Sequence, residues 1–187
     1  MQPSTNKRPL VLLDVDGVIN DLAALSGGVD PRTHAIVASN GYRVAIPHYM
    51  PVLIQWLCEV ADVHWCTTWR HRANDEIAAH LGIPALPVVD DGTEDRHVHW
   101  KAAAACELAA SALAEGRRVV WIEDFYDDVP ANQMPAGVEF VDTASDENFE
   151  MVLTVDMIPD WLWTLATARR VSPRTGDGSP SGSPKAA

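Results

Sequence analysis

The first apolar run of the chain, Pro9 to Leu13 (PLVLL), leads directly into Asp14-Val15-Asp16-Gly17-Val18-Ile19-Asn20. Two carboxylates at i and i+2 at a strand's end are costly to bury together unless a cation or partner compensates. A hard, oxygen-seeking cation such as Mg²⁺ is the natural compensation. In open α/β sheets, ligands bind outside the carboxyl ends of the strands, so the position suits chemistry. Other strand ends carry matching groups. Thr67-Thr68-Trp69 closes a second apolar run, where a hydroxyl and the adjacent N–H can hydrogen-bond a phosphoryl oxygen. Lys101 opens an Ala-rich segment, where its charge and a helix N-terminus both favour an anion. Glu123-Asp124, with Asp127 and Asp128 following, closes a further run with more acids.

These groups must be held by alternating strands and helices. Pro9 to Leu13 reads as a strand buried on both faces. Pro51 to Ala61 is an apolar-periodic helix with an early proline. Val63 to Cys66 is a second strand, and Asn74 to Leu81 a helix ended by Gly82 and Pro84. Leu86 to Val89 is expected as a short third strand, and Lys101 to Ala114 (KAAAACELAASALA) as a helix stopped by Gly116. Arg118 to Ile122 and Val138 to Val141 are further strands, and Asp156 to Ala168 is a closing helix. The alternation predicts a three-layer, Rossmann-like α/β fold with a central parallel sheet. One segment, residues 33–48 (THAIVASNGYRVAIPH), departs from it: two β-prone runs flank Asn40-Gly41, a strong hairpin signal. The expected domain covers residues 1–170 with this hairpin as a flap. Residues 171–187 (VSPRTGDGSPSGSPKAA) form a tail too poor in apolar residues to fold.

The ordered set resembles the haloacid dehalogenase superfamily of phosphohydrolases. The matching segments are LLDVDGV, VHWCTT, HWK and VVWIED, in the family's order, over roughly Pro9 to Asp128. WCTTWRHRAN and VVWIED look further like small capless members found alone or fused in RNA-repair proteins. The resemblance implies that Asp14 attacks phosphorus to form an aspartyl-phosphate, and that Asp16 protonates the leaving group and then activates water. It implies phosphate binding by Thr67, with Thr68 a rival one residue along, and by Lys101. Lys7 and Lys185 are the only other lysines, and they lie before the first strand and in the tail. It implies Mg²⁺ held by Asp14, the backbone carbonyl of Asp16 and an acid after the fourth strand. That acid is left open among Glu123, Asp124 and Asp128: Glu-Asp departs from the family's usual Asp-Asp or Gly-Asp, and Asp124-xxx-Asp128 gives a second register.

Many relatives close over small substrates with a cap. Here there is room after the first motif only for the hairpin, and between the third strand and Lys101 only for Asp90 to Trp100. Neither can hold a folded domain. An open site suits a large phosphorylated substrate, such as a nucleic-acid end or a phosphoprotein, unless a neighbouring subunit supplies a lid.

Each residue also has a plainer reading. DxDG alone is often a turn or a Ca²⁺-loop fragment, but Asn20 and Asp21 do not complete an EF-hand pattern. A lone Thr67 can cap a helix, and a lone Lys101 can be solvated. Arg70, His71 and Arg72 read as solvated loop residues before they read as a phosphate grip. His64 reads as packed, and His97 with His99 is weak evidence for zinc. Trp56, Trp65, Trp121, Trp161 and Trp163 belong to core-type runs, whereas Trp69 and Trp100 flank motifs.

Composition bounds the rest. The 187 residues are 47% hydrophobic and 21% charged, enough for one domain with a substantial core. The net charge of −12 argues against a broad grip on nucleic acid, not against a local positive site. The three cysteines, Cys58, Cys66 and Cys106, have no metal-type spacing and read as buried free thiols. With no secretory core and no apolar run near the roughly 20 residues of a membrane span, a reducing, cytoplasmic location is expected. The competing readings are a non-catalytic phosphate- or metal-binding module and a phosphotransferase. A dehalogenase would leave Asp16 and the metal acids without a task.

Overall fold

The computed structural model describes residues 7–39, 41–90, 100–124, 134–144 and 151–171. Its centre is a four-stranded parallel sheet. In chain order the strands are β1 (Leu10–Leu13), β4 (Asp62–Trp65), β5 (Val119–Glu123) and β6 (Val138–Asp142), laid out as β4-β1-β5-β6. The hairpin β2 (His34–Ser39) and β3 (Tyr42–Pro47) forms a separate antiparallel sheet, with Ser39 opposite Tyr42. The expected α/β fold with a hairpin is the fold observed.

Alternation along the central strands divides the core in two. Val11, Leu13, Val120 and Ile122 face α2 (Met50–Val60) and the C-terminal helix α5 (Asp160–Val171). Leu10, Leu12, Val119 and Trp121 face α4 (Trp100–Ala114), which presents Ala102, Ala105, Ala109 and Ala112. Small side chains along that helix let it approach the sheet closely. Helices therefore cover both faces, giving the three layers. Among the described residues, no helix is long and apolar enough to cross a membrane.

Four local details differ from the sequence reading. Asn74 to Leu81 begins as a π-helical turn (Asn74–Ala78) before the short α3 (Ala79–Leu81), which ends at Gly82 with φ +65°. Leu86 to Val89 is not a strand. Val88 bridges Trp65, but Asn74 intercepts Leu86, accepting from its N–H at 2.8 Å and donating to its carbonyl at 2.8 Å. Pro84 and Pro87 carry no N–H to extend a ladder. A six-residue helix, α1 (Leu22–Gly27), precedes the hairpin, capped by Asp21 Oδ1 accepting from Ala24 N at 2.7 Å. The last helix begins at Asp160 rather than Asp156, because Val155–Met157 forms a single 3₁₀ turn before Pro159. It runs through Val171, and the tail beyond lies outside the described residues.

Candidate active site

Strand parity decides which side chains meet. Asp14 follows Leu10 and Leu12 in turning toward α4, and Glu123 follows Val119 and Trp121. Lys101, in the first turn of α4, meets both. Its Nζ lies 2.9 Å from Asp14 Oδ2 and 2.5 Å from Glu123 Oε2. The second contact is close but not aligned as a hydrogen bond: Glu123 Oε2 is buried without a hydrogen-bond partner among the described residues. Asp14 Oδ1 accepts from the N–H of Val15 at 2.7 Å. Asp14, Glu123 and Asp124 are all buried, and one carboxylate oxygen from each lies within 4.8 Å of the others.

Three buried carboxylates share one ammonium, and the imbalance decides where protons sit. Burial alone would raise the Asp14 pKa. The Lys101 charge, with hydrogen bonds from Glu123, Lys101 and Thr67, more than offsets that and holds the carboxyl below its ordinary range. Glu123 goes the other way: burial and then the Asp14 charge push it up to about 10. Asp124 rises to about 6 for the same two reasons. Burial would lower the Lys101 pKa, but Asp14 and Glu123 together raise it above its ordinary value. Asp14 and Lys101 thus stay charged, and Glu123 keeps a proton.

This donor set fits a hard divalent cation. Its ligands are all carboxylate oxygens, its charge is in surplus, and a buried Glu123 oxygen lacks a hydrogen-bond partner. Two details keep the cluster tight. Gly17 has φ +68°, and a Cβ there would stand 2.2 Å from Asp124 Oδ2. Thr143, at the end of β6, donates to the Gly17 carbonyl at 2.7 Å.

Asp16 belongs to a different arrangement. Its Oδ2 accepts from the indole N–H of Trp69 at 2.8 Å and its Oδ1 from the Asn20 amide at 2.8 Å. Asn20 is itself buried and accepts from Ala45 N at 2.9 Å, tying the second carboxylate to the hairpin. Among the described residues each oxygen of Asp16 takes one donor, which leaves it a second lone pair.

The remaining candidates divide clearly. Thr67 is fully buried and accepts from Trp69 N at 3.3 Å, whereas Thr68 is exposed. Arg70 and His71 reach Asp90 at 3.4 and 3.7 Å, and Arg72 reaches Glu76 at 3.0 Å. His97, His99, Asp127 and Asp128 lie outside the described residues. Cys66 and Cys106 are buried free thiols and Cys58 is half-buried. Sequence reasoning passed over Asn20, Thr143 and the structural task of Gly17. Only the glycine carried a signal, in its position straight after the second acid. A concavity of about 450 Å³ between β6 and the Val155–Met157 turn is lined by Glu139, Asp142 and Asp160 and contains none of these groups.

The parallel sheet, the acid pair after β1, the buried Thr67 after β4, the Lys at the start of α4 and the acids ending β5 define a haloacid dehalogenase-like domain. Residues 10–151 match the HAD domain in Swiss Army Knife RNA repair proteins, and the chain belongs to that family. HAD domains are in general hydrolases. Neither the curated proteins nor the solved structures give a significant match.

Proposed function

We propose that the chain is a Mg²⁺-dependent phosphomonoesterase working through an aspartyl-phosphate on Asp14, with a nucleic-acid end as its substrate. The observation that carries this reading is the division of labour between the two first-strand acids. Asp14 is held ionised against Lys101, while Asp16 stands apart on Trp69 and Asn20 with room for a proton.

The residues' tasks follow from their chemistry. Asp14 presents an ionised oxygen to phosphorus in line with the leaving oxygen. Asp16 donates a proton to that oxygen and then takes one from the water that cleaves the aspartyl-phosphate. Lys101 offsets the charge of Asp14 as the phosphoryl group approaches and then holds the phosphoryl oxygens. The Thr67 hydroxyl, buried beside Asp14, is the group that binds the phosphoryl oxygens, in preference to the outward-facing Thr68. Asp14, Glu123 and Asp124, with the main-chain carbonyl of Asp16, would hold Mg²⁺. The metal would supply Lewis-acid stabilisation of the phosphoryl charge. The family's link to RNA repair favours a nucleic-acid end over a small metabolite.

The test is phosphate release from 3′- and 5′-phosphorylated oligonucleotides, nucleotides, sugar phosphates and phosphopeptides, with Mg²⁺ and with EDTA, beside Asp14→Asn. Metal-dependent release that disappears in a folded Asp14→Asn protein is expected, strongest on an oligonucleotide. A folded, Mg²⁺-replete wild type silent on every class would overturn the reading. Transfer of phosphate to a competing alcohol in place of water would convert it to a phosphotransferase.

A further inference from the structure

Beyond Asp16 lies an assembly that the hydrolytic residues leave unused. Tyr42 opens β3 beside the tip of the hairpin and is 62% exposed. Its ring centroid stands 6.1 Å from that of Trp69, at an interplanar angle of 59°. The Arg72 guanidinium lies over both rings, 5.1 Å from Trp69 and 5.9 Å from Tyr42. Glu76 accepts from its Nε at 3.0 Å, while its Nη2 has no hydrogen-bond partner among the described residues, and the guanidinium lies against the ring faces. Trp69 is almost wholly buried and its indole N–H is committed to Asp16. Of the two rings, Tyr42 therefore offers the open face.

The platform and the leaving-group acid share one side chain: Asp16 takes the Trp69 indole N–H, and Tyr42 stands against the same ring. A base stacked on Tyr42 is thereby linked to Asp16 through a single indole. An aromatic face backed by an arginine is also what a base recognises without regard to its sequence. On a chain with a net charge of −12, such a local platform replaces the broad basic surface that the protein lacks.

We propose that Tyr42, supported by Trp69 and Arg72, stacks on the base of the nucleotide that bears the scissile phosphate, and so sets the preference for a nucleic-acid end. This rests on the phosphatase reading for what happens to the phosphate, but not for the binding itself. Trp69 joins the two parts: one edge positions Asp16 and the ring supports the platform.

The test separates binding from turnover. Full-length Asp14→Asn protein is titrated with short single-stranded oligonucleotides carrying 2-aminopurine at a phosphorylated end, 3′ in one and 5′ in the other. A matched pair has an abasic terminal residue and a distant dye, read by anisotropy. Base-dependent quenching is expected, with Tyr42→Ala weakening the base-bearing probe by about ten- to a hundredfold. Tyr42→Phe should retain the affinity, and the abasic probe should bind the Ala and Tyr forms alike. An unchanged affinity in Tyr42→Ala, an equal loss on base-bearing and abasic probes, or no binding to either end would overturn the platform. Phosphate release by the wild type is scored separately. Tyr42-dependent quenching without release would sink the phosphatase reading and leave the platform. Release with no base preference and no effect of Tyr42→Ala would do the reverse.

Discussion

Both ends of the parallel sheet gather charged side chains, with opposite outcomes. At the amino ends, Asp62 accepts from Arg8 Nε at 2.7 Å and from Arg117 Nη2 at 2.8 Å. Arg8 also donates to the carbonyls of Cys58, Glu59 and Ala61, and Arg117 to that of Arg8 at 2.8 Å. Each of these charges has partners, and the side chain of Asp62 is still 42% exposed. At the carboxyl ends, three buried acids face a single lysine, one acid oxygen has no hydrogen-bond partner, and a proton is retained on Glu123. The first arrangement is complete in itself and ties β1, β4 and the turn before β5 together. The second leaves acid that the described residues do not balance, in a donor set that fits a further cation. Buried charge that the chain itself does not satisfy is a mark of a site rather than of scaffolding.

The sharpest way to break this contrast is to remove Lys101, the one cation that the described residues supply to the acids. Lys101→Met should lower kcat/KM by about 10²- to 10³-fold, measured as phosphate release at saturating Mg²⁺. A smaller loss would mean that the metal alone balances Asp14.

Metal removal probes the same imbalance through pH. Glu123, raised from 4.5 to about 10, holds in the folded chain a proton that the unfolded chain releases. Stability of the metal-free protein should therefore fall as pH rises across that window. Asp124 adds to the slope between 3.8 and about 6. On the proposed function, Mg²⁺ binding would displace the proton, so its effect on Tm should be larger at about pH 9 than at about pH 6. Melting curves with Mg²⁺ and with EDTA at the two values measure this, and an equal gain at both would refute it.

Gly17→Ala should cost about 1–3 kcal/mol, because its Cβ would fall 2.2 Å from Asp124 Oδ2 at a φ of +68°. Denaturant midpoints read the stability and a Mg²⁺ titration reads the cluster. Both should move, since the displaced group is an acid of the cluster.

The smallest effect belongs to the amino end. Asp62→Ala should lower stability by about 1 kcal/mol and leave kcat/KM and Mg²⁺ affinity untouched. Loss of activity there would show that the two ends are coupled and that the contrast is false.

Much of the site was legible because strand ends are legible. An apolar run followed by an acid, hydroxyl or paired acids places a polar group at the sheet's edge, and the parallel fold brings such edges together. The hairpin was equally plain from Asn40-Gly41 between β-prone runs. Less legible was Leu86 to Val89, whose apolar composition suits a strand but whose ladder Asn74 and two prolines pre-empt. Asn74 lies 12 residues away from Leu86, and no local pattern announces that contact.

By itself, then, the sequence determined the alternation of elements, the hairpin, and the identity and order of Asp14, Asp16, Lys101 and the acids ending β5. These depend on hydrophobic period and turn chemistry, which act over a few residues. Tertiary structure decided that Thr67 is buried and Thr68 exposed, and that Glu123 and Asp124 both join Asp14. It also decided that Asp16 is held by Trp69, 53 positions away, and that Tyr42 and Arg72 stand beside that indole. Side-chain direction and long-range pairing settle such facts. They arise when the sheet's register and the packing of α4 fix which faces meet, a condition set by the whole core rather than by any segment of it.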